Sequence, residues 1–125
     1  MRRLVFESMV RLIYVDCVMR LGGLRVLRQR LKERRMDAGP ASDIPSQDQI
    51  CHAIDLACAF YFKQILCLQR SAATVLLLRK YGHNAEMVIG AQVLPFKSHA
   101  WVECDGTVVN DKPYVNELYT PLERC

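Results

Sequence analysis

Cys67-Leu68-Gln69-Arg70-Ser71-Ala72-Ala73-Thr74-Val75-Leu76-Leu77-Leu78-Arg79-Lys80-Tyr81-Gly82 is the run that decides the architecture. Its apolar stretch is closed by two basic residues and then a glycine, the composition of a buried helix with cations in its last turn and a glycine stop. Cys67 stands at the start of that helix. The partial positive charge of unpaired N–H groups at a helix N-terminus favours thiolate over thiol.

Downstream, three stretches read as strands, 85–94, 97–104 and 107–111, joined by short turns at Pro95 and Gly106. A cysteine-bearing helix laid on a small antiparallel sheet gives an α+β fold. Asp105-Gly106 is a hairpin signal, and His99 and Asp111 lie on either side of it. Register decides whether they meet. A two-residue loop puts Asp111 opposite Ala100, on the face His99 does not use, because side chains alternate with period two. A three-residue loop, Cys104-Asp105-Gly106 with Gly106 as a bulge, sets His99 opposite Asp111. The expectation is therefore a bulged hairpin.

In that register Asp111 orients the imidazole, His99 takes the thiol proton, and Cys67 attacks an amide carbonyl, with water or an amine resolving the acyl-enzyme. The Cys67 backbone N–H supplies one oxyanion donor. Gln64 is a nearby side-chain amide for a second, although an exposed helix-end glutamine fits it equally. Cys67, His99 and Asp111 as zinc ligands are the competing reading, which lacks an obvious fourth ligand and gives no reason for the helix-start placement. No cofactor is expected, and there is no glycine-rich phosphate loop.

Cys-Leu-x-Arg-Ser at the thiol, Leu-Leu-Arg at the helix end, Val-Ile-Gly on the next strand, Pro-Phe-x-x-His-Ala-Trp-Val-Glu around the histidine and Val-Asn-Asp at the acid stand together within residues 67–111. This set resembles the transglutaminase-like cysteine peptidases of lasso-peptide biosynthesis, which remove the leader from a ribosomally made precursor. The resemblance implies a transglutaminase-like, papain-like core with Cys67 as nucleophile, His99 as base and acid, and Asp111 as orienting residue. The family occurs fused to a leader-recognition domain or split from it. Nothing before Cys67 reads as a strand-rich winged helix, so the split form is expected. Its partners would be the precursor's leader region, a stand-alone leader-recognition protein and an ATP-dependent macrocyclase. A transamidase with the same triad and a non-catalytic scaffold of a maturation complex are the alternatives. Trp101, two residues from His99, and Arg70, one turn from Cys67, are candidate substrate contacts; a core tryptophan is the default for the first.

Composition agrees with one folded domain: 125 residues, 51% hydrophobic, with six cysteines in no Cys-x-x-Cys spacing and no secretory signal. That cysteine usage points to a reducing cytoplasm. Cys17, Cys51, Cys58 and Cys104 fall in apolar patterns and read as small buried hydrophobes. Ten of the seventeen Lys and Arg, but three of the thirteen Asp and Glu, lie in residues 1–35. This basic segment repeats apolar residues at helical spacing, breaks at Gly22-Gly23, and is too interrupted by Glu7, Arg11 and Asp16 for a membrane span. Packing on the core is the reading that fits it best, ahead of docking a partner; nucleic-acid binding comes last for want of aromatic interleaving. Residues 36–46 read as a linker, and 47–125 as the peptidase core. Ser46 with Gln49 forms a capping-box pattern, followed by a helical stripe from Ile50 to Tyr61. His52, Asp55 and His83 read as surface or turn residues.

Overall fold

A computed structural model describes residues 2–33, 45–62, 65–93 and 95–125. The elements run α1 (Arg2–Glu33), α2 (Gln47–Phe60), α3 (Cys67–Lys80), β1 (Ala85–Gln92), β2 (Lys97–Cys104), β3 (Thr107–Val108), α4 (Val115–Leu118) and β4 (Thr120–Arg124). The four strands form one sheet in the order β3-β2-β1-β4. The fold is α+β, helices packed on an antiparallel sheet. Most of the expected linker, and Gln64, lie outside the described residues.

The central helix is α3. Residues 71–78 are all buried, because α1 and α2 pack on one side of it and β1 and β2 on the other. A helix apolar on every face requires such a setting. Its end is locally encoded. The His83 N–H donates to the Leu78 carbonyl and the Gly82 N–H to that of Arg79, with Gly82 at positive φ, which is a Schellman stop.

The other helices carry the features their composition predicts. Ser46 Oγ accepts from the Gln49 N–H and the Gln49 side chain accepts from the Ser46 N–H, capping α2. Ile50, Ala53, Ile54 and Ala57 line its buried face, while His52 and Asp55 are exposed. In α1 the helical geometry is interrupted at Gly23 (φ 72°, ψ −168°), a conformation glycine alone adopts without strain. Leu4, Leu12, Val15, Leu27 and Leu31 of α1 join the same core cluster as α2 and α3. Cys17, expected in the core, is exposed instead: it lies on the outer side of α1, away from the Leu12 and Val15 face. No helix among the described residues is long and apolar enough to cross a membrane.

The β2–β3 hairpin differs from expectation. Cys104 pairs with Thr107 and Glu103 with Val108, so the loop is the two-residue Asp105-Gly106 and the bulge is not formed. Both loop residues sit at positive φ, 51° and 81°, as a two-residue turn of this hand demands. Asp105 is further held by Asn84, whose Nδ2 donates to its carboxylate at 3.2 Å. β3 is shorter than the five residues expected, and β1 ends at Gln92. The C-terminal elements α4 and β4 are additions to the expected three strands. β4 closes the free edge of β1, pairing Gly90 with Pro121 and Val88 with Arg124.

Candidate functional site

The site is assembled at the N-terminal end of α3, where β2 and the segment after β3 converge on it. Cys67 is the first residue of α3, and its side chain is half-buried. The start of this helix is held by Gln69, whose Oε1 accepts from the Leu66 N–H at 3.2 Å while its Nε2 donates to Asp16 of α1 at 3.3 Å. Asp16 is buried and also meets Tyr61. The Gln69 amide thus ties the Cys67 end of α3 to α1 directly and, through Asp16, to Tyr61 at the end of α2.

One turn further, Ser71 is buried and donates to the Ala100 carbonyl at 3.1 Å. Residues four apart lie on one helical face. Cys67 therefore sits on the α3 face that carries Ser71, one turn before the serine's bond to β2. Ser71 Oγ also accepts from Asn110 Nδ2 at 3.1 Å, and Arg70 Nη2 donates to the Asn110 carbonyl at 2.8 Å. Arg70, a candidate substrate contact, is engaged inside the fold: besides Asn110 it pairs with Asp55 at 3.0 Å.

His99 Nε2 and Asp111 Oδ2 lie 2.5 Å apart. The two-residue hairpin should have sent Asp111 to the opposite face, and the chain resolves this by leaving the sheet. Val109 still makes its ladder bond to the Val102 carbonyl, but at the next step the Val102 N–H is taken by Asn110 Oδ1, at 2.8 Å, in place of a backbone carbonyl. The side chain of Asn110 terminates the ladder. Asp111 is released from period-two alternation and turns back onto His99. Burial pushes the Asp111 carboxyl up, but hydrogen bonds from His99 and the Lys112 N–H, with the nearby charges of His99 and Arg70, outweigh it and hold the group below the usual aspartate value.

Aromatic rings back the imidazole. His99 lies 6.1 Å from the Trp101 ring and 5.2 Å from Tyr119, which are 6.4 Å from each other. Trp101 is fully buried, so in this structure it presents no surface to a substrate. Its Nε1 donates to buried Glu103 at 2.9 Å, and Arg124 of β4 donates to the other Glu103 oxygen at 2.9 Å. Gly90 leaves room for the indole: a Cβ there would stand 2.7 Å from the ring.

The sequence model of the transglutaminase-like superfamily matches residues 10–124. The chain belongs to the transglutaminase-like superfamily. A second comparison finds similarity to the microcin J25-processing protein of Escherichia coli, 41% identical over 51 residues. That stretch is 41% of this chain and 24% of the relative, so the chain spans about a quarter of the relative's length. No solved structure matches. Within this superfamily member, reading the sequence missed Tyr119 and the roles of Gly90, Ser71 and Asn110. Gly90 and Asn110 stand in the quoted motifs, which marked the positions without their purpose. Tyr119 carried no signal, because its place depends on β4 pairing with β1.

No group of three or more His, Cys, Asp or Glu among the described residues is arranged to hold a metal ion. Two of the other thiols are held protonated by their surroundings. Burial, with Asp55 beside it, pushes the Cys51 thiol up to about 12, and burial with Asp105 raises Cys104 to about 11. Both are neutral, inert thiols at ordinary pH.

Proposed function

We propose that this chain is a cysteine peptidase that removes the leader from a ribosomally made lasso-peptide precursor, with Cys67 as nucleophile, His99 as general base and acid, and Asp111 as the residue that orients the imidazole. The observation that carries the reading is the 2.5 Å contact of His99 Nε2 with Asp111 Oδ2, beside a strand clamped by Ser71 to the helix that Cys67 begins. The leader-peptidase assignment is supported by the relative's name, that of a microcin-processing protein, and by superfamily membership.

With Nε2–H donating to Asp111, the imidazole carries its lone pair on Nδ1 and can take the Cys67 proton there. The thiolate attacks the scissile carbonyl. The oxyanion meets the Cys67 N–H, one of the first N–H groups of α3, which have no acceptor inside the helix. The Nδ1 proton passes to the leaving amine, a thioester remains, and water activated by His99 releases the acid. Asp111 stays ionised and stabilises the imidazolium formed in between. The chain acts with a separate leader-recognition protein, and the trimmed core peptide passes to an ATP-dependent macrocyclase.

The test is mass spectrometry of a cognate precursor incubated with the leader-recognition protein and either the wild type or Cys67→Ala. Cleavage at one bond by the wild type alone is the expected result. Equal behaviour of the two proteins would remove Cys67 as nucleophile and leave the scaffold reading. A conjugate with an added primary amine in place of hydrolysis would make the enzyme a transamidase.

A further inference from the structure

The outer face of α1 carries an apolar seam that the described residues leave uncovered. Phe6, Val10, Ile13, Cys17 and Leu21 follow one another at spacings of four, three, four and four. They fall within a narrow stripe on the side opposite the buried Leu12 and Val15. Phe6 is 70% exposed, Ile13 47% and Leu21 90%, so the stripe is solvent-facing along its length. Apolar residues three and four apart form the kind of seam by which one helix receives the side chains of another.

The charges beside the seam are of one sign. Arg2 and Arg3 stand at its start and Arg20 near its end, and all three are exposed. Arg3 and Arg20 approach Glu7 and Asp16 at 3.4 and 3.5 Å, but those carboxylates are turned into the fold. Glu7 accepts from Lys80 and Tyr81 of the α3 end, and Asp16 from Gln69. The exposed face is thus apolar along its middle and cationic at both ends.

We propose that this face docks an amphipathic helix of a different protein, one with its own apolar seam and carboxylates set opposite Arg2, Arg3 and Arg20. A second copy of this chain is a poor occupant. Parallel α1 helices would set Arg2 and Arg3 against their equivalents, and antiparallel ones would set them against Arg20, like charges in either case. An anionic membrane is also a poor fit, because Arg11 is the sole Lys or Arg between the two cationic ends, where such a surface calls for a run of them. The inference stands independently of the peptidase reading, since nothing in the seam belongs to the site.

The probe is a dye-labelled synthetic helix with Leu at seam positions and Glu beside them, titrated with the full chain by fluorescence anisotropy, next to a control peptide with Lys for Glu. The acidic peptide should bind saturably and more weakly as salt rises, and at least about tenfold more tightly than the Lys peptide. Phe6→Glu with Leu21→Glu should weaken it by at least a further tenfold, with circular dichroism unchanged because both side chains already face water. Arg2→Glu, which leaves the seam residues themselves unchanged, should weaken the acidic peptide and strengthen the Lys peptide. The proposal is overturned by equal binding of the two peptides, or by equal binding to wild type and double variant. It is also overturned if the double variant abolishes self-association in sedimentation, or binding to phosphatidylglycerol vesicles, while the acidic peptide fails to bind the wild type.

Discussion

Gly90→Ala isolates the link between the sheet and the imidazole. The added Cβ would lie 2.7 and 2.8 Å from two carbons of the Trp101 benzo ring and 3.0 Å from the Thr120 carbonyl oxygen. The indole is fully buried and anchored through Glu103 to Arg124, so it cannot swing away as a flexible side chain would. Gly90 lies in a strand and does not need positive φ, so the backbone itself accepts alanine; by restricting the unfolded chain, such a change alone would stabilise by about 0.4–1 kcal/mol. Overpacking a rigid core costs about 1–3 kcal/mol, occasionally more, and should win. The expected outcome is a net loss of about 1–2 kcal/mol, which for a chain of this size lowers the melting temperature by roughly 4–8 °C.

The assay is direct because Trp101 is the single tryptophan. Thermal unfolding by circular dichroism gives the stability, and the native emission spectrum should shift red as the indole is displaced from its pocket. Trp101→Phe removes the two clashing ring carbons, so combining it with Gly90→Ala should recover about 1 kcal/mol relative to the sum of the single changes. A Gly90→Ala protein as stable as wild type with unchanged emission, or a strictly additive double variant, would refute the account of why glycine stands here.

Asn110→Ala leaves the Val102 N–H without its acceptor and should cost about 1–3 kcal/mol. Asn110→Asp keeps an acceptor for Val102 but cannot donate to Ser71, so it should retain more stability than Asn110→Ala while still slowing precursor cleavage, as measured by single-turnover kinetics. Asp111 has its pKa lowered in the fold, so the stability it contributes is present above the unfolded aspartate value of about 3.9 and lost as pH falls through the lower folded value. In urea titrations from neutral pH down to acid, the gap between wild type and Asp111→Asn should be widest at neutral pH and close in acid; a gap that widens on acidification would contradict the assignment. Native-state alkylation near pH 7.5 should modify exposed Cys17 and spare Cys51 and Cys104 until denaturant is added, with peptide mapping as the readout.

What the sequence revealed is what local chemistry encodes. The stop of α3 is written in Leu78 to His83, and the cap of α2 in Ser46 and Gln49, each within a few residues. What it concealed depends on distant pairing. β4 lies far from β1 in the chain, and only its docking brings Tyr119 to His99 and Arg124 to Glu103, which makes Trp101 a buried support instead of a surface contact. The hairpin is the most instructive case, because the right contact was expected for the wrong reason. Strict alternation says that His99 can meet Asp111 only if the register slips by a residue. That argument assumes the second strand continues to Asp111, and the polar side chain just before it ends the strand instead. Asn110 satisfies the next backbone donor with its own amide oxygen and spends its amide nitrogen on Ser71. The residue that frees Asp111 from the sheet is therefore bonded to the residue one turn from Cys67. Movement of α3 relative to β2 would disturb the Asp111 contact, so the start of α3 and the His99–Asp111 pair are geometrically coupled through one buried serine and one asparagine.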